Sequence, residues 1–270
     1  MLDKPTPVAA TLRTWREQRG LSQMELSLRA EVSTRHLSFV ETGRAAPGRD
    51  LILRLADELA VPLRERNTLL VAAGFAPVFA HRRYADPEFD PIRSIVRQTL
   101  ATAWPFPAYL IDRHWNIVAS NAAVPELFEG CRADILAAPV NVVRLMLHPQ
   151  GMAPRIRNLG VWRAHYLNAL ARQMQFSLDP VLERLRAEAL AYPGAPPTAA
   201  DAEAGRLAVP LEVDTSLGRL SFLSATTVFG EPLDVTLEEI ALEQLYPANA
   251  ETERLVRAAA GVRDQLHPAK

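Results

Sequence analysis

Cysteine is almost absent from this chain: Cys131 is the one thiol in 270 residues. That excludes an internal disulfide framework and a cysteine-based metal cluster. Histidine does not make up for it, since His36, His81, His114, His148, His165 and His267 show neither an HExxH nor any other ligand spacing. No metal and no cofactor is therefore expected. The chain has no glycine-rich phosphate loop and no glycine–serine nucleophile elbow. Cys131 has no recognisable catalytic base near it in sequence and reads as an inert structural thiol. No catalytic residues and no enzyme activity are expected. Apolar runs stay well short of the ~20 residues of a membrane span, and the opening MLDKPTP has no signal-peptide core. A soluble, cytoplasmic protein without membrane contact is the expectation.

Net charge is also scarce, at −1, but it is unevenly spread. Residues 1–85 carry 13 Lys and Arg against 9 Asp and Glu, a balance of +4; residues 86–270 carry 17 against 22, a balance of −5. A basic module joined to an acidic one suits contact with a polyanion at one end only.

What the chain does have is concentrated between Leu12 and Pro47. Gly20 ends a first helix. Ser22 with Glu25 three residues on forms a capping box for a second, and Ser33 caps a third, which Gly43 stops. Leu26, Ala30, Val32, Leu37 and Val40 are apolar where two short crossing helices bury side chains, and Ser27 is small at their closest approach. Arg49 to Leu59 predicts a fourth helix, with Leu51, Leu55 and Leu59 on one stripe. Pro62 suits the first turn of a fifth, ending at Gly74. The segments SQMELSLRA, VSTRHLSFVETGR and LILRLADELAV resemble the phage-repressor-like (XRE) helix-turn-helix family. That resemblance implies an all-α five-helix domain binding double-stranded DNA with its third helix in the major groove. Glu31 stands where the family's turn has glycine, which implies strain if the turn is left-handed.

The third helix presents Ser33, Thr34, Arg35, Ser38 and Phe39 away from Leu37 and Val40. Arg35 can fork onto guanine O6 and N7, and Phe39 can pack on a thymine methyl. Ser33 and Thr34 reach base edges or phosphates; the bland alternative is a solvated helix face. His36 is left between backbone contact and none. Thr42 and Arg44 follow the helix and suit phosphate, with a merely solvated Arg44 as the alternative. Gln23 lies in the first turn of the second helix, where backbone N–H groups favour phosphate; the resemblance implies that it grips the DNA backbone, and a plain helix-start residue is the other reading. Arg16 and Glu41 match the positions of a buried ion pair in phage repressors and are read as structural.

Beyond the predicted domain at 1–78, PVFAHRRYADPEFDP predicts a linker at 79–90. Asp90 and Pro91 are expected to cap a helix from Ile92 to Ala101. Strands at Ala108–Asp112 and Asn116–Ser120, then a short helix opening at Asn121, resemble the opening of PAS domains. A long helix is expected from about Arg155 to Met174 and another after Asp179 and Pro180 to about Ala191. YPGAPPTAADAEAG predicts a mobile loop. LAVPLEV, GRLSFLSATTVF and DVTLEEIALEQLYP read as strands, and Asn249 as the cap of a terminal helix through Ala260.

NLGVWRAHYLNAL, the stretch LSFLSATTVFGEPLDVTLEEIALEQLYPANAET and the PAS-like opening are similar to the MmyB-like regulators. That similarity implies an α+β, PAS-like sensor domain with an antiparallel sheet at 91–270, taking a small apolar or fatty-acid-like ligand. Trp162, His165 and Tyr166 on the long helix, and Phe222 and Phe229 on a strand, either line a pocket or fill a core. Asn121 either bonds a ligand or caps its helix. The expected function is a transcription regulator that binds a pseudo-palindromic operator as a homodimer and senses a ligand through its C-terminal domain. The alternative is a DNA-binding regulator whose C-terminal domain is only a dimerisation or partner-binding scaffold.

Overall fold

In the computed structural model, which describes residues 7–177, 179–194, 210–230 and 232–266, local capping places the first five helices. α1 (Pro7–Gln18) ends before Gly20, whose φ is +65°. The Ser22 hydroxyl accepts from the Glu25 N–H at 3.1 Å, while the Glu25 carboxylate accepts from the Ser22 N–H at 2.8 Å. This reciprocal box opens α2 (Gln23–Arg29). Ser33 accepts from the His36 N–H to open α3 (Thr34–Glu41), and Gly43 follows it at φ +75°. α4 (Arg49–Glu58) and α5 (Leu63–Ala72) complete the set, with Pro62 at the cap of α5 rather than inside its first turn. Glu31 adopts φ +52°, so the turn between α2 and α3 is left-handed with a non-glycine residue in it.

Leu12, Trp15, Leu26, Leu37, Val40 and Ile52 meet in one core. Within it, Arg16 Nε and Nη2 donate to the two oxygens of Glu41 at 2.7 and 2.8 Å. Their side chains are 10% and 1% exposed. Arg16 Nη1 also donates to the Leu21 carbonyl, and Gln23 Nε2 donates to Glu41 Oε2. The chain divides into two units: this one, to Arg83 with residues 175–177 and 232–238, and a second made of the rest.

The second unit begins inside the predicted linker. Phe89 is buried, with the Tyr84 ring edge-on to it at 6.1 Å, in a 3-10 turn (Pro87–Phe89) leading into α6 (Asp90–Ala103). Asp90 therefore lies within the helix, where it pairs with Arg93, and does not cap it. β1 (Ala108–Ile111), β2 (Ile117–Ser120), β3 (Pro210–Thr215), β4 (Gly218–Val228) and β5 (Ala241–Pro247) form one antiparallel sheet in the order β2-β1-β5-β4-β3. The remaining helices are α7 (Ala123–Leu127), α8 (Val142–Leu147), α9 (Leu159–Gln175), α10 (Pro180–Ala191), α11 (Val235–Glu239) and α12 (Ala250–Leu266); α11 falls with the first unit up to Glu238, and the others belong with the sheet.

Three expectations change. α9 starts at Leu159, because Ala153–Arg155 forms a 3-10 turn and Ile156 bridges to Val213 on β3. DVTLEE is not strand: Asp234 Oδ1 accepts from the Thr236 N–H and starts α11, so strand resumes only at Ala241. Asn249 does cap the terminal helix, which runs past Ala260 to Leu266. Most of YPGAPPTAADAEAG lies outside the described residues.

The period-two pattern of the strands sets the core. Tyr109 and Ile111, Leu220 and Phe222, and Leu245 share the face that packs with Val143 of α8 and Trp162, Tyr166 and Leu170 of α9. β1 is buried along its whole length, as befits a strand with α6 beside it. No helix among the described residues is long and apolar enough to cross a membrane.

Candidate nucleic-acid interface and ligand cavity

Leu37 and Val40 anchor α3 in the first core, which turns its other side outward. Ser33, Thr34, Arg35 and His36 are exposed, and Ser38 and Phe39 half-buried. Arg35 stands over the Phe39 ring at 5.4 Å and Arg44 at 6.0 Å. Neither guanidinium has a carboxylate partner among the described residues. Phe39 thus has a reason to be where it is before any base arrives: two cations flank its π face. Ser33 uses its hydroxyl as the helix cap, Thr34 Oγ1 meets Ser27 Oγ at 2.8 Å, and Thr42 Oγ1 donates to the Ser38 carbonyl. Gln23 is half-buried and tied to Glu41, so the ion pair also orients it. Two planar cations without a carboxylate partner among the described residues, Arg35 on α3 and Arg44 just after it, suit bidentate contact with base edges or phosphates.

The second unit has a partly open cavity of about 320 Å³ between α9 and the sheet. Trp162, His165 and Tyr166 form one wall, and Tyr109, Trp115 and Glu243, which sequence reasoning missed, form much of the rest. The rings pack at angles: Trp162 lies 5.2 Å from His165 and 5.5 Å from Tyr166, and Trp115 meets Tyr166 edge-on at 5.7 Å. Trp162 Nε1 donates to the Pro210 carbonyl and Trp115 Nε1 to Gln173 Oε1, which fixes both indoles. Burial lowers the pKa of His165, with Arg172 adding to the effect, so its imidazole is neutral at pH 7. Burial likewise raises the pKa of Tyr109 and Tyr166. The missed residues left one trace in sequence: Glu243 is a carboxylate on the face of β5 that otherwise carries Ala241 and Leu245.

The other predicted ligand residues lie elsewhere. Phe222 is buried at a second cavity, of about 470 Å³, with Trp104, Leu127, Leu220 and Val256. Phe229 follows the end of β4 and lines neither cavity. Asn121 is a brace: its Oδ1 accepts from the Ala108 N–H, and its Nδ2 donates to the Leu100 and Phe106 carbonyls. These bonds hold the amide between α6 and β1; it is not the cap of α7, whose cap residue is Ala122. Burial pushes the pKa of the Cys131 thiol up, which disfavours the reactive thiolate.

Comparison with known families decides the identity. Residues 92–259 match the MmyB-like transcription regulator ligand binding domain, and residues 8–69 match a helix-turn-helix domain. The chain belongs to the MmyB-like transcription regulators. It is accordingly a helix-turn-helix regulator: an all-α DNA-binding domain of five helices followed by an α+β ligand-binding domain with an antiparallel sheet. A comparison with curated proteins finds no match. Among solved structures, an RNA-binding light-oxygen-voltage receptor is similar at 12% identity and a TM-score of 0.26, over 95% of this chain. The chain spans 64% of that receptor's length, and so low a score carries no argument. In this MmyB-like regulator, the α3 face and the α9 cavity lie in the domains that the two family matches assign to DNA and to ligand.

Proposed function

We propose that this regulator reads a pseudo-palindromic operator as a homodimer, through Arg35, Phe39 and their neighbours on α3, and senses a small molecule in the α9 cavity. The observation that carries the ligand reading is the cavity itself. A volume of about 320 Å³ walled by Trp162, Tyr166 and Tyr109 is of the size and chemistry that small ligands occupy. The aromatic wall suits a ligand with an apolar body; a fatty-acid-like ligand fits less well, since its carboxylate would enter beside Glu243. The ligand acts by linkage: it shifts DNA affinity by its differential affinity for two arrangements of the dimer. We place the protein in the cytoplasm, acting without catalysis.

Native mass spectrometry of the purified chain, before and after organic extraction, tests the ligand reading. An excess mass lost on extraction supports it; no excess mass, together with no response to any added small molecule, favours a C-terminal domain that is a scaffold alone. Dimerisation is assigned to the second unit. Light scattering of a chain beginning at Asp86 checks it, and a strict monomer refutes it.

A further inference from the structure

We propose that the α9 cavity is built for a small organic cation, an amine or ammonium group on an apolar or aromatic body, with Glu243 as its counter-ion. This rests on the reading of that cavity as the ligand site.

The other charged side chains of the wall are already held by partners or screened. Asp112 turns its Oδ1 to the His114 and Asn116 N–H groups and its Oδ2 to the Asn116 amide. Arg113 pairs with Glu239 at 3.0 Å and with Asp179. Arg172 is exposed, where solvent and salt screen it. Glu243 shares with Asp112 the lack of a cation, but it has two donors, both hydroxyls, where Asp112 has three N–H donors. Glu243 is half-buried, and among the described residues no cation pairs with it. Its contacts are two hydroxyls, Ser224 Oγ donating to Oε2 at 2.6 Å and Thr226 Oγ1 to Oε1 at 2.5 Å. One hydroxyl on each oxygen holds the carboxylate in place without neutralising it.

The rest of the wall favours the same guest. Strand register sets Tyr109 of β1 directly beside Glu243 of β5, and Thr226 of β4 on its other side. Tyr109 and Tyr166 are 6% and 3% exposed, and neither hydroxyl has a hydrogen-bond partner among the described residues. Both hydroxyls open into the cavity, where they can accept an N–H from a guest, and an ammonium supplies one. Trp115, Trp162 and Tyr166 add π faces, which attract a cation and suit an apolar body equally. A carboxylate guest would gain from the rings but meet Glu243 head-on.

The test uses the full chain and three probes sharing one body: 2-phenylethylamine, 2-phenylethanol and 3-phenylpropionate. Calorimetry gives affinities, and the indole N–H resonances of Trp115 and Trp162 report binding in this cavity. The amine should shift both indoles and bind at least about tenfold tighter than the alcohol, with the carboxylate weakest. In Glu243→Gln, which keeps the size and the acceptor for Ser224, the amine should fall to within about twofold of the alcohol. The probe ranking on the wild type stands whether or not that variant folds. If the alcohol matches the amine, or the carboxylate binds best, at the same indoles, the cavity remains the ligand site and the cation assignment is overturned. If no probe moves those indoles, the cavity reading and this inference both go.

Discussion

Breaking the Arg16–Glu41 pair from one side should destabilise the DNA-binding unit strongly, and the two sides should differ. Arg16→Met leaves the Glu41 carboxylate, 1% exposed, with Gln23 Nε2 as its remaining hydrogen-bond donor. The helices that carry the pair bury Leu12 and Trp15 on α1 and Leu37 and Val40 on α3, an apolar core that solvates a charge poorly. Removing one partner of a buried pair costs about 3–5 kcal/mol, and this variant belongs at the upper end. Glu41→Ala strands a guanidinium that is 10% exposed, keeps the Leu21 carbonyl and has Glu17 at 3.8 Å. Its cost belongs at the lower end, near 3 kcal/mol. Arg16→Met with Glu41→Leu together should cost less than about 1 kcal/mol, because no charge is left to desolvate. For a unit of this size each kcal/mol moves Tm by about 4–8 °C, so the single variants should melt more than about 12 °C early. Calorimetry of the full chain reads this, with hydrogen exchange in α1–α3 identifying the transition of the first unit. Single variants melting within about 2 °C of wild type would place the pair's worth at the 0–1 kcal/mol of an exposed bridge and refute the reasoning.

Arg35→Ala should lose about 1–3 kcal/mol at one operator position and relax preference there, whereas Gln23→Ala should weaken all sequences alike; footprinting over site variants separates them. Asn121→Ala removes three hydrogen bonds to the ends of α6 and β1 and should lower stability by about 2–3 kcal/mol in urea melts, with ligand affinity unchanged. Glu31→Gly should raise stability by up to about 1 kcal/mol, since it relieves a left-handed side-chain contact and gives back part of that gain as chain entropy; an unchanged midpoint would deny the strain. His165 has its folded pKa below the ordinary ~6.5, so the unfolded chain binds more protons as pH falls below that value. Stability should therefore drop from pH 7 toward pH 5, and His165→Gln should flatten that part of the profile in calorimetry.

The first unit was legible residue by residue because its determinants are short-range. Ser22 and Glu25, Ser33 and His36, and Gly43 after α3 all act within a few residues of one another. The second unit was legible in its α9 stripe, where Trp162 and Tyr166 share a face one turn apart. It was not legible at DVTLEE, where an apolar alternation masked the Asp234 cap, nor at Asn121, whose partners Leu100 and Phe106 lie 21 and 15 residues back.

Helix periodicity, capping chemistry and two family resemblances in the sequence were enough to determine a five-helix DNA-binding unit, the face of α3 turned outward and an α+β domain after it. Only the tertiary structure decided what stands beside what in the cavity. Tyr109, Glu243 and Thr226 are neighbours because β5 lies between β1 and β4 in one register. A shift of one residue would turn Glu243 to the other face. That register is set by packing across more than a hundred residues of chain, and no local pattern encodes it.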